Sequence, residues 1–166
     1  MKSRSLRAQE ELAAGFNCAA SVLAAFAEEC GMPLPQARRV AGAFGGGMGR
    51  SGSGPCGAAS GGLMALGLIF GKTEPEDDDA RDRCYAEGKD FLQAFQERCN
   101  GLSCCELLGH DVSDPDQYLL AKTSGAFAER CPKFLEVAVE LVEARLPKPA
   151  QAVTIPDQSR RNVTEG

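Results

Sequence analysis

The chain has no tryptophan, one histidine and few aromatic residues, 6% of 166. With His110 alone, a multi-histidine metal centre is excluded, and its place between Gly109 and Asp111 reads as a loop position. Positive charge is not in excess. A net charge of −5 gives no electrostatic reason to bind nucleic acid or an anionic membrane surface. No apolar run reaches the ~18 residues that suggest a membrane span. The longest, Gly57 to Gly71, is interrupted by glycines and reads as a buried helix. Lys2, Arg4 and Arg7 resemble the start of a signal peptide, but Glu10, Glu11 and Asn17 fall where its apolar core belongs. A cytoplasmic location is expected. No convincing strand pattern and no internal repeat occurs. There is no Cys-x-x-Cys, which removes zinc ribbons and thioredoxin motifs, and no Cys-x-x-Cys-His for covalent haem.

What is present is helix signal, glycine and cysteine. Leu12, Phe16, Ala19, Leu23, Phe26 and Cys30 recur at helical spacing and predict a first helix from about Leu6 to Cys30, stopped by Gly31 and Pro33. Pro35 opens a second, which dissolves into the glycine run from Gly45 to Gly54. Gly57 to Phe70 is apolar nearly all round and should be central. Thr73-Glu74-Pro75-Glu76 reads as a capping box opening a helix to about Cys99. Ser103 caps a short helix ended by Gly109, Asp114-Pro115 opens another to about Phe127, and Cys131-Pro132 begins the last. The expected fold is all-α: one bundle-like domain of six to seven helices over residues 1–146, with a Gly-rich loop. A Pro-rich polar tail, expected to be disordered, covers 147–166.

Eight cysteines, at 18, 30, 56, 84, 99, 104, 105 and 131, are many for a cytosolic domain, and point to metal or redox chemistry before structural disulfides. Cys56, Cys104 and Cys131 each fall at a predicted helix start. Unpaired N–H groups and the macrodipole there favour the thiolate, the form that attacks disulfides and binds metals. Cys18 reads as mid-helix. Cys30, Cys84 and Cys99 read as core thiols. Cys105 is a spare thiol or half of a vicinal disulfide. Gly47-x-Gly49-x-x-Gly52 matches a dinucleotide fingerprint formally, but a helix precedes it where a strand is required. The run instead lets backbone approach a cofactor or partner, with Arg50 as a nearby positive charge. Glu76 to Asp79 reads as a solvated helix start rather than a cation site.

Five blocks occur in a recognisable order: Phe16-Asn17-Cys18-Ala19, Phe44 to Gly49, Cys56 to Gly62, Cys104 to Gly109, and Cys131. In them the chain resembles the C-GCAxxG-C-C family of redox-active proteins, from about Leu12 to Val142. Two departures stand out. The second block is one residue longer after Cys56, and Cys105 stands where a basic residue is expected, so the choice between Cys104 and Cys105 stays open. The resemblance implies a small helical domain with its family cysteines at Cys18, Cys56, Cys104 and Cys131. A similar domain accompanies haem domains in split-Soret cytochromes, where iron–sulfur chemistry is implied. Three functions follow as expectations. The first is an iron–sulfur cluster or other metal on those four cysteines, used for electron transfer with a redox partner protein. The second is a metal-free dithiol protein with Cys56 or Cys131 as nucleophile. The third is a structural or interaction domain whose cysteines scatter through the core. Oligomeric state, homo-oligomers included, stays open.

Overall fold

In the computed structural model, which describes residues 2–147, helices account for 69% of the described residues, which contain no strand. The all-α expectation holds. Eight α-helices are present among the described residues, against the six or seven expected: α1 (Arg4–Ala13), α2 (Cys18–Ala27), α3 (Leu34–Val40), α4 (Gly57–Phe70), α5 (Asp78–Cys99), α6 (Cys104–Leu108), α7 (Pro115–Thr123) and α8 (Ala126–Glu143). Apart from Pro147 the expected tail lies outside the described residues. Among the described residues no helix is long and apolar enough to cross a membrane.

Three boundaries differ from the periodicity reading. The first predicted helix is two helices, because Gly15 takes a left-handed φ of 100° and Asn17 caps a new helix, accepting from the Ala20 N–H at 2.9 Å. Cys18 therefore opens α2 rather than sitting mid-helix. The Thr73 capping box does not form. Residues 73–77 turn, and Asp77 is the cap of α5, accepting from the Ala80 N–H at 3.0 Å. The seventh helix stops at Thr123, and Gly125, left-handed at 81°, starts α8. Cys131 and Pro132 thus lie inside α8, with Cys131 at no helix start. A proline there cannot donate to the carbonyl four residues earlier, so Ala128 loses its helical partner.

Packing is dominated by α2 against α4, with α5 and α8 closing round them. Nearly every residue of α2 is buried, from Ala19 to Ala27, and α4 is buried from Gly57 to Gly62. The two backbones approach unusually closely. A β-carbon at Gly61 would lie 2.5 Å from the Ala19 carbonyl oxygen, and one at Gly57 would lie 3.0 Å from the Cys18 β-carbon. Glycine at both positions is therefore what allows the start of α4 to lie against the start of α2. The core is filled by Leu23, Phe26, Leu66, Phe91, Phe95, Leu135 and Val139, each nearly fully buried.

Candidate functional site

Each family cysteine is placed by a different local device, and the devices link into a ring. The close α2–α4 contact sets Cys18, first residue of α2, beside Cys56, the residue capping α4. Residues 54–56 then run antiparallel to 102–104. The Cys56 N–H donates to the Leu102 carbonyl at 2.7 Å, and the Cys104 N–H donates to the Gly54 carbonyl at 3.2 Å, around a single Pro55–Ser103 bridge. That pairing puts Cys56 next to Cys104. The Ser103–Glu106 capping box fixes the start of α6 at Cys104. Arg130 of α8 donates to the Leu108 carbonyl at 2.8 Å, tying α8 to the end of α6 and bringing Cys131 towards Cys104. Cys18 lies near enough to Cys131 for each to shift the other's protonation, which closes the ring.

Every one of the six pairs among these four cysteines lies within electrostatic reach. A set of cysteines scattered through the core would not do this. Cys56, Cys104 and Cys131 are buried and Cys18 is half-buried. The other four sit apart in different ways. Cys84 and Cys99 pack on the core, and Cys30 ends the short turn after α2. Cys105 turns the other way from its neighbour, donating to Asp111 Oδ1 at 3.6 Å and covering Gly52, whose missing side chain leaves it room. Its charge is still felt by Cys104. All eight thiols are free.

Protonation does not follow helix position alone. Cys56 keeps the expected advantage of a helix start, since the nearby Ala58 and Ala59 N–H groups lower its pKa, although neither makes a cap hydrogen bond to its sulfur. Burial outweighs them and pushes the thiol up to about 12. Burial does the same to Cys104, helped by the neighbouring charges of Cys131 and Cys105, again to about 12. Cys131 is held below the usual thiol range by its neighbour Cys18, against its burial. Cys18 is raised by that same pairing, by burial and by the other three charges. One thiolate shared by this pair is favoured and a second is resisted.

A cavity of about 720 Å³ opens beside the ring, with Cys18 and Cys131 in its wall. The glycine loop forms one side, Tyr118 of α7 and Phe127 of α8 another. Residues Gly46 to Arg50 all have positive φ, including Met48 at 63° and Arg50 at 59°. Left-handed backbone at non-glycine positions is strained and persists only where its surroundings enforce it. Here the Gly49 N–H is held by the Ala43 carbonyl at 2.6 Å and the Arg50 N–H by the Gly45 carbonyl at 3.2 Å.

Two residues that position this site carry no redox chemistry of their own. Asn17 caps α2 through its oxygen, while its amide nitrogen donates to the Gly42 carbonyl at 3.0 Å and the Ala41 carbonyl at 3.3 Å. It thereby ties the Cys18 helix to the turn that leads into the glycine loop. An asparagine two residues after a glycine is a readable cap signal, hidden by the unbroken apolar spacing around it. Arg130 left no signal at all, since its acceptors are carbonyls on another helix.

The class defined by this fold and site is a small helical protein with four mutually interacting cysteines at one corner. Residues 16–145 match the family model described as "Putative redox-active protein (C_GCAxxG_C_C)", and the chain belongs to that family. No curated protein and no solved structure matches the chain.

Proposed function

We propose that the chain is an electron carrier in which Cys18, Cys56, Cys104 and Cys131 ligate an iron–sulfur cluster. The observation that carries this reading is the mutual interaction of all four family cysteines at one buried corner. Four thiolates complete the ligand set of a two-iron or four-iron cluster. Among the described residues no three Cys, His, Asp or Glu side chains already surround one point as a single ion requires. When bound, the cluster supplies one-electron transfer at a potential set by its surroundings. The chain's part is to exclude water with Leu108, Val112 and Phe127, and to favour charge on the Cys56 sulfur through the nearby Ala58 and Ala59 N–H groups. Because Cys56 and Cys104 hold their protons to about 12, loading at neutral pH releases protons from both.

The test is iron and acid-labile sulfide content, with a visible spectrum, on anaerobically purified protein. Stoichiometric iron and sulfide, lost in Cys56→Ser, are expected. Colourless, iron-free protein that also fails reconstitution would overturn the reading.

The coupled protonation of Cys18 and Cys131, with Cys131 lowered and Cys18 raised, favours a second reading, a metal-free dithiol. The Cys131 thiolate would attack a substrate disulfide and release one substrate thiol. Cys18 would then resolve the mixed disulfide, leaving a Cys18–Cys131 disulfide and a substrate reduced by two electrons. Iron-free protein carrying a reversible Cys18–Cys131 disulfide would put this reading first.

A further inference from the structure

The cavity beside the thiols has the composition of a ligand site. Its volume, about 720 Å³, lies within the range of small-molecule pockets. Tyr118 and Phe127 form an aromatic wall, ring centroids 5.5 Å apart, and Leu12 and Val112 extend the apolar surface. Arg50 is the one charged residue in the lining. Its guanidinium lies 4.6 Å over the Tyr118 ring and pairs with no carboxylate among the described residues. The surface elsewhere shows the contrast. Arg4, Arg7, Arg38, Arg81, Arg98 and Arg145 are ion-paired, and of the arginines without an ion pair among the described residues, Arg39, Arg50, Arg83 and Arg130, only Arg50 lines this cavity. Arg50 also holds a left-handed backbone, a strained choice that any surface cation could have avoided. The N–H groups of Gly45 and Gly46, in the same wall, have no acceptor among the described residues.

We infer that this cavity binds a small organic anion with a flat apolar body. The body lies against Tyr118, Phe127 and Leu12, and the anionic group meets Arg50, with the loop N–H groups as further donors. A ligand so placed stands beside Cys18 and Cys131, in the position of a substrate or effector of the thiol site.

The probe is anilinonaphthalene sulfonate, titrated by fluorescence into full-length protein, with neutral phenylnaphthylamine as the same body without the charge. Saturable one-to-one binding of the sulfonate is expected. Arg50→Asn removes the charge while tolerating the left-handed φ. It should weaken the sulfonate roughly tenfold and leave the neutral compound unchanged. Ala128→Trp, at an exposed helical position in the lining, should block both. Absent saturable binding, sulfonate affinity unchanged in Arg50→Asn, or both compounds unaffected by Ala128→Trp would each overturn the inference. Iron content, read on the same samples, reports separately on the cluster.

Discussion

The α2–α4 contact and the cysteine corner lie end to end in this molecule and are built from opposite materials. Along the contact, alanine and glycine bring two backbones almost together, and the interior around them is apolar apart from Ser21 and Ser60. Both serines are satisfied by backbone carbonyls four residues back. At the corner, three helix starts, a left-handed loop and a short helix meet, held by individual hydrogen bonds. The contact has one solution fixed by shape, whereas the corner depends on many directional bonds. A close-packed core is thus used as a base on which a polar, chemically active edge is held to fine tolerance.

Substitutions on the two sides should separate them. The largest effect is expected from Gly61→Val, whose side chain meets the Ala19 carbonyl and the Val22 β-carbon with no flexible neighbour to move. A loss of about 3 kcal/mol or more in urea unfolding is expected, with the thiol site lost as well, because the same contact aligns Cys18 with Cys56. Asn17→Ala should reverse the balance. It removes a helix cap and two bonds to the turn that leads into the glycine loop, costing about 1–2 kcal/mol. Iron retention or thiol reactivity should fall far more than that stability change suggests. If the site were unaffected, Asn17 would be a cap and nothing more. Ser103→Ala opens the capping box of α6 and should cost about 1 kcal/mol, seen as a lower thermal midpoint.

The smallest effect lies away from both regions. Burial would raise Glu29, but hydrogen bonds from Arg4 and Arg7 more than offset it and hold the carboxyl below its usual range. A folded value depressed below the unfolded one gives stability that is present above about pH 4.3 and lost as pH falls through the folded value. Wild type and Glu29→Gln should therefore differ in thermal midpoint at neutral pH and converge in acid. Glu29 is well exposed, so the difference should be under about 1 kcal/mol and shrink with salt.

Much of the framework was readable without coordinates. Gly31, Ser103, Gly109 and Asp114 mark helix ends by local chemistry, and each does so in the structure. The errors also have local causes. Apolar spacing runs through Gly15 and hides the cap at Asn17, while Pro132 suggested a helix start although tertiary packing carries α8 through it. Those two errors exchanged Cys18 and Cys131 as the cysteine at a helix start. Helix position then proved secondary. The Cys131 thiol is lowered by Cys18 and not by a macrodipole, and burial raises Cys56 in spite of one.

The amino-acid order alone set the helical class, the positions of the glycine run and the family of the four cysteines, since caps, stops and periodicity act over a few residues. Folding in three dimensions decided that Cys18, Cys56, Cys104 and Cys131 lie within electrostatic reach of one another, that Cys105 turns towards Asp111, and that Arg50 faces a cavity. Those outcomes rest on contacts between residues up to about a hundred positions apart, such as Cys18 with Cys131. Burial and charge at such contacts are properties of the assembled neighbours, and no local pattern encodes them.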